Sequence, residues 1–250
     1  SARQQEIARG IVNYSAAQIG KIAGQRSSDF AKLIEGDFHE EVIHRDNMVL
    51  MDGKGTFYHA IVTLASHKKC LYEIQETLPQ EKTWSSQIHL AIAPTKNIDR
   101  IEWLAEKVTE IGFDELSFLH CTFSERKMLR QDRIEKIVVS AAKQSRKAWM
   151  PKVNALESFK EFITTPREGR KFIAHCYTEI EKKDFFDTIT NDDLATPITV
   201  LVGPEGDFSI DEVRLAMEQG YESITLGKSR LRTETAGLMA VTMAQIALRK

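Results

Sequence analysis

Val200-Leu-Val-Gly-Pro-Glu-Gly-Asp-Phe-Ser-Ile-Asp-Glu-Val213, then Ile224-Thr-Leu-Gly-Lys-Ser-Arg-Leu-Arg-Thr-Glu-Thr-Ala-Gly-Leu238: these two stretches decide the fold. Two short apolar runs, Ile198–Val202 and Ser223–Leu226, each end in a glycine-bearing loop that leads into a helix. Apolar runs of this length, bounded by Gly or Pro, suit strands buried on both faces. Ligands of open α/β sheets bind at the carboxyl ends of strands, so both loops point at one candidate site. The first loop, Gly203-Pro-Glu-Gly206, sets a carboxylate between two permissive glycines and a rigid proline. Ser209 with Glu212 three residues on forms a capping box, and Gly220 is a helix stop. The second loop, Gly227 to Thr235, brings Arg230 and Arg232 beside a Thr233/Glu234/Thr235 cap. The helix after it, to Leu248, is apolar nearly all round and is expected to be buried. Gly203–Gly206 alone also reads as a tight turn; the two loops in this order favour a site.

Upstream, strands and helices alternate. Gln87–Ala93 predicts a strand closed by Pro94, and Ile98–Ile111 predicts a helix stopped by Gly112. Glu115–Cys121 reads as a strand, Arg130–Ser145 as a helix with Ile134, Ile137, Val138 and Ala141 inward, and Lys171–Cys176 as a strand. This alternation implies an α/β domain with a mostly parallel sheet over 87–250. Leu78–Ser86, with Pro79 and polar neighbours, reads as a linker. Before it, Met48–Met51 and Thr56–Leu64 flank Asp52-Gly-Lys-Gly55, a hairpin signal, and Cys70–Ile74 is a further strand. Residues 1–78 therefore predict a small β-rich domain.

The chain has 250 residues, 42% hydrophobic and 28% charged, with a formal net charge of −2. That composition supports a folded core and by itself does not suggest nucleic acid. Charge is uneven, however. From Ser124 to Lys152 there are nine basic residues, among them Arg126, Lys127, Arg130, Arg146 and Lys147, against three acidic ones. Such a stripe suits phosphate contacts, the alternative being a solvated helix face. The three cysteines, Cys70, Cys121 and Cys176, form no C-x-x-C pair, so neither zinc nor a disulfide framework is indicated. His39-Glu-Glu-Val-Ile-His44 nearly imitates a zinc-protease motif, but its histidines are five apart and diverge on a helix. No metal is expected. No run suits a membrane span or a signal peptide, and a cytoplasmic protein is expected. No G-x-G-x-x-G follows the early strands, so a dinucleotide or classical methyltransferase site is unsupported.

G-P-E-G-x-F-S followed by L-G-x-x-x-L-R-T-E-T-A resembles the ribosomal RNA small-subunit methyltransferase E family, part of the SPOUT superfamily. Weaker similarity reaches back to about Gln87, and Lys143-Gln-Ser-Arg-Lys-Ala-Trp-Met-Pro151 resembles the family's E-Q-S-G-R…P segment. Lysine there replaces its glutamate and arginine its glycine. The resemblance implies methylation of N3 of a specific uridine in 16S rRNA with S-adenosylmethionine. It implies a SPOUT-type parallel sheet over 87–250 with a C-terminal trefoil knot, after a PUA-like β-barrel that grips RNA over 1–78. It further implies a homodimer acting on small-subunit rRNA or the assembled subunit.

By the same resemblance the cofactor lies among three loops, holding His175 and Cys176, then Val202, Gly203, Glu205 and Gly206, then Leu226, Gly227, Leu231, Arg232 and Thr233. Neutral uracil N3 carries a proton, so the site must share that proton and hold N3 in line with the methyl group. Arg232 suits charge developing on the uracil carbonyls, and Glu205 or Glu234 suits a general base. The plain alternatives are an Arg232–Glu234 ion pair with a helix cap, and Glu205 as loop scaffolding. A non-catalytic RNA-binding protein on the same fold is the alternative function; it would show no saturable cofactor site.

Overall fold

The computed structural model describes residues 9–12, 43–65, 70–190 and 195–250. The chain forms two compact units, Ser1–Glu81 and Lys82–Lys250. His39, of the zinc-like motif, falls outside the described residues.

The first unit holds β1 (Arg9–Val12), β2 (Ile43–Met51), β3 (Thr56–Ala65) and β4 (Cys70–Pro79), an antiparallel sheet in that order. Asp52 makes the β2–β3 turn. Its Oδ1 accepts from the Lys54 and Thr56 amides at 2.7 and 3.0 Å, which holds its carboxyl below the usual range.

In the second unit, β5 (Ile88–Ile92), α1 (Ile98–Ile111), β6 (Glu115–His120), α2 (Gln131–Gln144), β7 (Lys152–Ser158), α3 (Phe159–Thr164) and β8 (Arg170–Ala174) come first. β9 (Lys183–Asp184), α4 (Phe185–Thr190), β10 (Ile198–Val202), α5 (Ile210–Glu218), β11 (Glu222–Thr225) and α6 (Thr233–Ala247) complete it. The strands form one parallel seven-stranded sheet, ordered β7-β6-β5-β10-β8-β11-β9. Every residue of β5 and β10 is buried. Ile88, Leu90, Ile92, Val200 and Val202 face a core shared with α1, α2 and α6. Ala91, Leu119, Ile173 and Leu201 face one shared with α3 and α5. Two covered faces explain why these strands are apolar but for His89 and Thr199 rather than alternating.

Gly237 lets α6 lie directly on the sheet: a Cβ there would stand 2.9 Å from Ile92 Cδ1 and 3.1 Å from a Leu104 methyl. α5 begins with the Ser209/Glu212 capping box. It ends with the Tyr221 amide returning to Ala216 O at 3.0 Å and the Gly220 amide to Met217 O at 2.9 Å.

Three expectations need correction. The linker does not reach Ser86. Trp84 is buried, its Nε1 donating to Asp114 Oδ2 at 2.9 Å, and Ser85 N–H donates to Leu248 O. Polar neighbours hid this core tryptophan in the sequence. α6 is not buried all round: Gly237, Ala240, Val241 and Ala244 face inward, while Ile246 is 48% exposed. The Thr/Glu/Thr cap is also absent, since Arg232 is the N-cap residue and makes no side-chain capping bond. Among the described residues, no helix is long and apolar enough to cross a membrane, and no His/Cys/Asp/Glu group is arranged to hold a metal.

Candidate active site

The loops after β8, β10 and β11 converge at the carboxyl ends of adjacent strands around a cavity of about 770 Å³. His175, Cys176, Val202, Gly203, Glu205, Leu226, Gly227, Leu231, Arg232 and Thr233 all line it. Two of the expected residues do not. Gly206 turns toward Phe123, whose Cβ lies 3.1 Å from where a Gly206 side chain would begin. Glu234 is buried, with Oε1 3.8 Å from Arg100 Nε and Oε2 without a partner. The Arg232–Glu234 ion pair is therefore not formed. Arg100 of α1 takes that place, and Arg232 is exposed with no described partner.

Local bonds fix the loops. Asp207, at a φ of 67°, accepts the Cys176 amide at 2.7 Å and the Phe208 amide at 2.8 Å, tying the β8 loop to the β10 loop. Thr225 Oγ1 donates to Gly227 O at 2.8 Å. Gly227 has a φ of 121°, and the space where a Cβ would stand is open within 4 Å. Bare backbone thus faces the cavity there, a form only glycine adopts readily. Leu226 and Leu231 supply apolar wall. Flat apolar walls, exposed backbone and this volume fit a nucleoside-sized ligand.

Five cations, Arg100, Lys182, Lys228, Arg230 and Arg232, stand against two carboxylates, Glu205 and Asp207. Both carboxylates accept backbone N–H bonds, Glu205 Oε1 taking the Lys96 amide at 2.9 Å. The cavity is therefore electropositive. His175 is buried, with Nε2 2.8 Å from Ser223 Oγ and Nδ1 unpartnered. Burial first, then the Lys182 ammonium, push its pKa down, so it is neutral. Burial and then Asp207 push the Cys176 thiol up, which disfavours a nucleophilic thiolate.

The RNA methyltransferase domain family matches residues 82–245. This chain belongs to that family. A probable rRNA-methyltransferase from Porphyromonas gingivalis is 36% identical, with a TM-score of 0.73, over 80% of this chain and 84% of that one. A Legionella pneumophila protein in complex with the bound cofactor SAM is 25% identical, with a TM-score of 0.70, over 80% of this chain and 82% of its own. The ribosomal RNA small subunit methyltransferase E of Synechocystis is 28% identical over 206 residues. That match spans 80% of this chain and 65% of the relative, less than two thirds of its length.

In this chain the basic stripe divides. Lys127 and Arg146 are exposed, and Arg130 pairs with Asp132 at 3.1 Å. Lys147 turns inward to Ile111 O at 3.2 Å and lies over the Trp84 ring; burial lowers its pKa. Arg126 binds the carbonyls of Thr95 and Lys96. Arg100, Lys182 and Asp207 were missed from the sequence as members of the site. They arrive from a helix and two loops far apart in sequence, and carry no periodic or motif signal.

Proposed function

We propose that this protein methylates small-subunit ribosomal RNA with S-adenosylmethionine, at N3 of a uridine. The observation that carries the reading is the cavity where three glycine-bearing or turn-bound loops meet at the carboxyl ends of β8, β10 and β11. The open backbone at Gly227 and the Leu226 and Leu231 walls would hold the adenosine part. The cofactor supplies an electrophilic methyl group when bound. Arg232, unpaired and on the cavity wall, stabilises negative charge on a uracil carbonyl as N3 loses its proton. Glu205 is the carboxylate within the cavity that suits proton acceptance; Glu234, in the first turn of α6, sits beside Arg100 of α1 and supports position. A paired base hides N3, so the target must be unpaired or extruded.

Three finer features belong to this reading. The first is a trefoil knot. β10 follows β8 in sequence yet lies between β5 and β8, and α6, leaving β11, returns to pack on β5. Chains pulled from both ends should then unfold to a length shorter than the full contour. The second is a PUA-like barrel in the first unit, supported by its antiparallel sheet; removing 1–81 should weaken rRNA binding and spare cofactor binding. The third is a homodimer. Trp103 on α1 and Ile246 on α6 are 43% and 48% exposed, an apolar surface suited to a second copy. Sedimentation at micromolar concentration should give twice 28.4 kDa, and a monomer would refute it.

The deciding experiment is nucleoside mass spectrometry of small-subunit rRNA from cells with and without this gene. Loss of 3-methyluridine supports the proposal. Unchanged nucleosides, with RNA binding but no saturable S-adenosylmethionine site, would identify a binding protein instead. A cytoplasmic location follows from the substrate.

A further inference from the structure

Three loops at the carboxyl ends of β5, β6 and β10 are fastened together beside the main cavity. Arg126 turns its guanidinium inward, Nε donating to Thr95 O at 2.9 Å and Nη2 to Lys96 O at 2.5 Å. The Lys96 amide donates to Glu205 Oε1 at 2.9 Å, and Lys96 Nζ meets Glu125 Oε2 at 2.8 Å. Thr122 N–H donates to Glu212 Oε1 and Cys121 N–H to Ser124 Oγ, at 2.8 and 2.9 Å. A loop held this way loses little freedom when it binds.

On this frame two large apolar side chains face solvent, Phe123 at 50% exposure and Met128 at 81%. The fold leaves half or more of each uncovered. Between them in sequence, Lys127 is exposed and has no described partner. Lys96, Glu125, Arg126, Lys127 and Met128 line a second cavity of about 460 Å³, with three cations to one carboxylate. Glu205 joins the two sites, since it lines the main cavity while its carboxylate holds Lys96 of the second. Phe123 stands against Gly206 of the same Gly203–Gly206 loop.

Single-stranded nucleic acid binds where aromatic faces take bases and lysines take phosphates. We propose that this second cavity and the Phe123 ring of the same loop receive the nucleotide next to the methylated one. Its base rests on Phe123 and Met128 and its phosphate on Lys127. Arg126 is the brace that holds the platform, not an RNA contact. The proposal rests on the rRNA methyltransferase reading.

Methylation of small-subunit rRNA from cells lacking the gene is the first test. Phe123→Ala should raise the KM for rRNA about tenfold, the loss typical of one stacked base, and Phe123→Tyr should restore it. Lys127→Ala should lower the salt dependence of rRNA binding by about one phosphate contact. Arg126→Ala should lower the Tm, which removal of a mere RNA contact would not do. Met128→Asp, at an exposed position, guards against misfolding and should raise the KM as well. S-adenosylmethionine affinity should stay unchanged in the Phe123, Lys127 and Met128 variants.

A second readout does not depend on methylation: Phe123→Trp, titrated with a short single-stranded oligoribonucleotide, should lose indole emission as bases stack. If wild-type enzyme methylates rRNA neither free nor in the assembled subunit, the reading above fails, while this titration still judges the platform. An unchanged KM in the Phe123→Ala and Met128→Asp variants would overturn the proposal, as would unquenched indole emission from the Phe123→Trp variant while RNA binds. So would a Phe123→Ala defect seen on assembled subunits but not on free rRNA, which would mark a protein-docking surface.

Discussion

The two ends of the parallel sheet use the same polar residue types to opposite effect. At the amino end, Asp114 takes the Trp84 indole and the Ile88 amide on one oxygen, each at 2.9 Å, and Lys82 on the other. Beside it His89 Nε2 meets Ser117 Oγ at 2.8 Å, and Asn154 donates to Ser117 and to Glu115. At the carboxyl end His175 makes the same 2.8 Å bond to a serine, yet its Nδ1 has no partner, Glu234 Oε2 has none, and Arg232 stands free. A histidine–serine pair therefore does not mark a site by itself. What marks it is polar capacity left unused beside a cavity; Arg167 Nε and Tyr221 Oη are also without a partner, but neither residue lines that cavity.

This contrast makes mutations at the two ends fail differently. At the carboxyl end, Arg232→Ala should slow single-turnover methyl transfer by about a hundredfold or more while leaving the Tm and most cofactor affinity intact. Arg232→Lys should rescue only in part, since an ammonium lacks the planar fork. A wild-type rate would remove Arg232 from the chemistry. Gly227→Val places a branched residue at a φ of 121° and a side chain in the cavity, so the Kd for S-adenosylmethionine should rise with the fold retained.

At the amino end the response is stability. Burial lowers the His89 pKa from 6.5 to about 4, against the pull of Glu115. Between those values the unfolded chain binds a proton that the folded one refuses. Stability is thus complete above about pH 6.5 and falls as the pH drops toward 4, by on the order of 3 kcal/mol. Urea titrations across that range should show this slope, and His89→Gln should flatten it. His175, also lowered by burial, acts in the same direction. Asp114→Ala should cost about 2 kcal/mol by stranding the Trp84 and Ile88 donors, with cofactor affinity of the folded enzyme unmoved.

The smallest effect expected is at Arg146. It closes α2 with a φ of 53°, and the Lys147 amide returns to Ala142 O at 2.8 Å. A left-handed position after a helix favours glycine. Arg146→Gly should therefore stabilise by about 1 kcal/mol or less, read as a small rise in Tm. This also explains why glycine stands there in the segment that 143–151 resembles.

The central fold was legible because β5 and β10 are apolar but for His89 and Thr199, a pattern that suits a doubly covered strand. β7 was missed for the complementary reason. It is an edge strand whose Lys-Val-Asn-Ala-Leu-Glu-Ser pattern buries only Val153 fully. The site loops were legible through glycine, proline and cap spacing. Arg100 and Asp207 were not, since their roles arise from where separate loops meet.

The position of β10 has a further consequence, for the order in which the protein can assemble. β5 ends at Ile92 and β8 at Ala174, but the strand that joins them begins only at Ile198. During synthesis both strands leave the ribosome with bare edges facing an absent neighbour. Pairing over such sequence distances is slow, and unpaired edges invite association with other chains. Chains stopped before Ile198 are thus expected to be the aggregating species, and chaperone demand should peak late in translation rather than early.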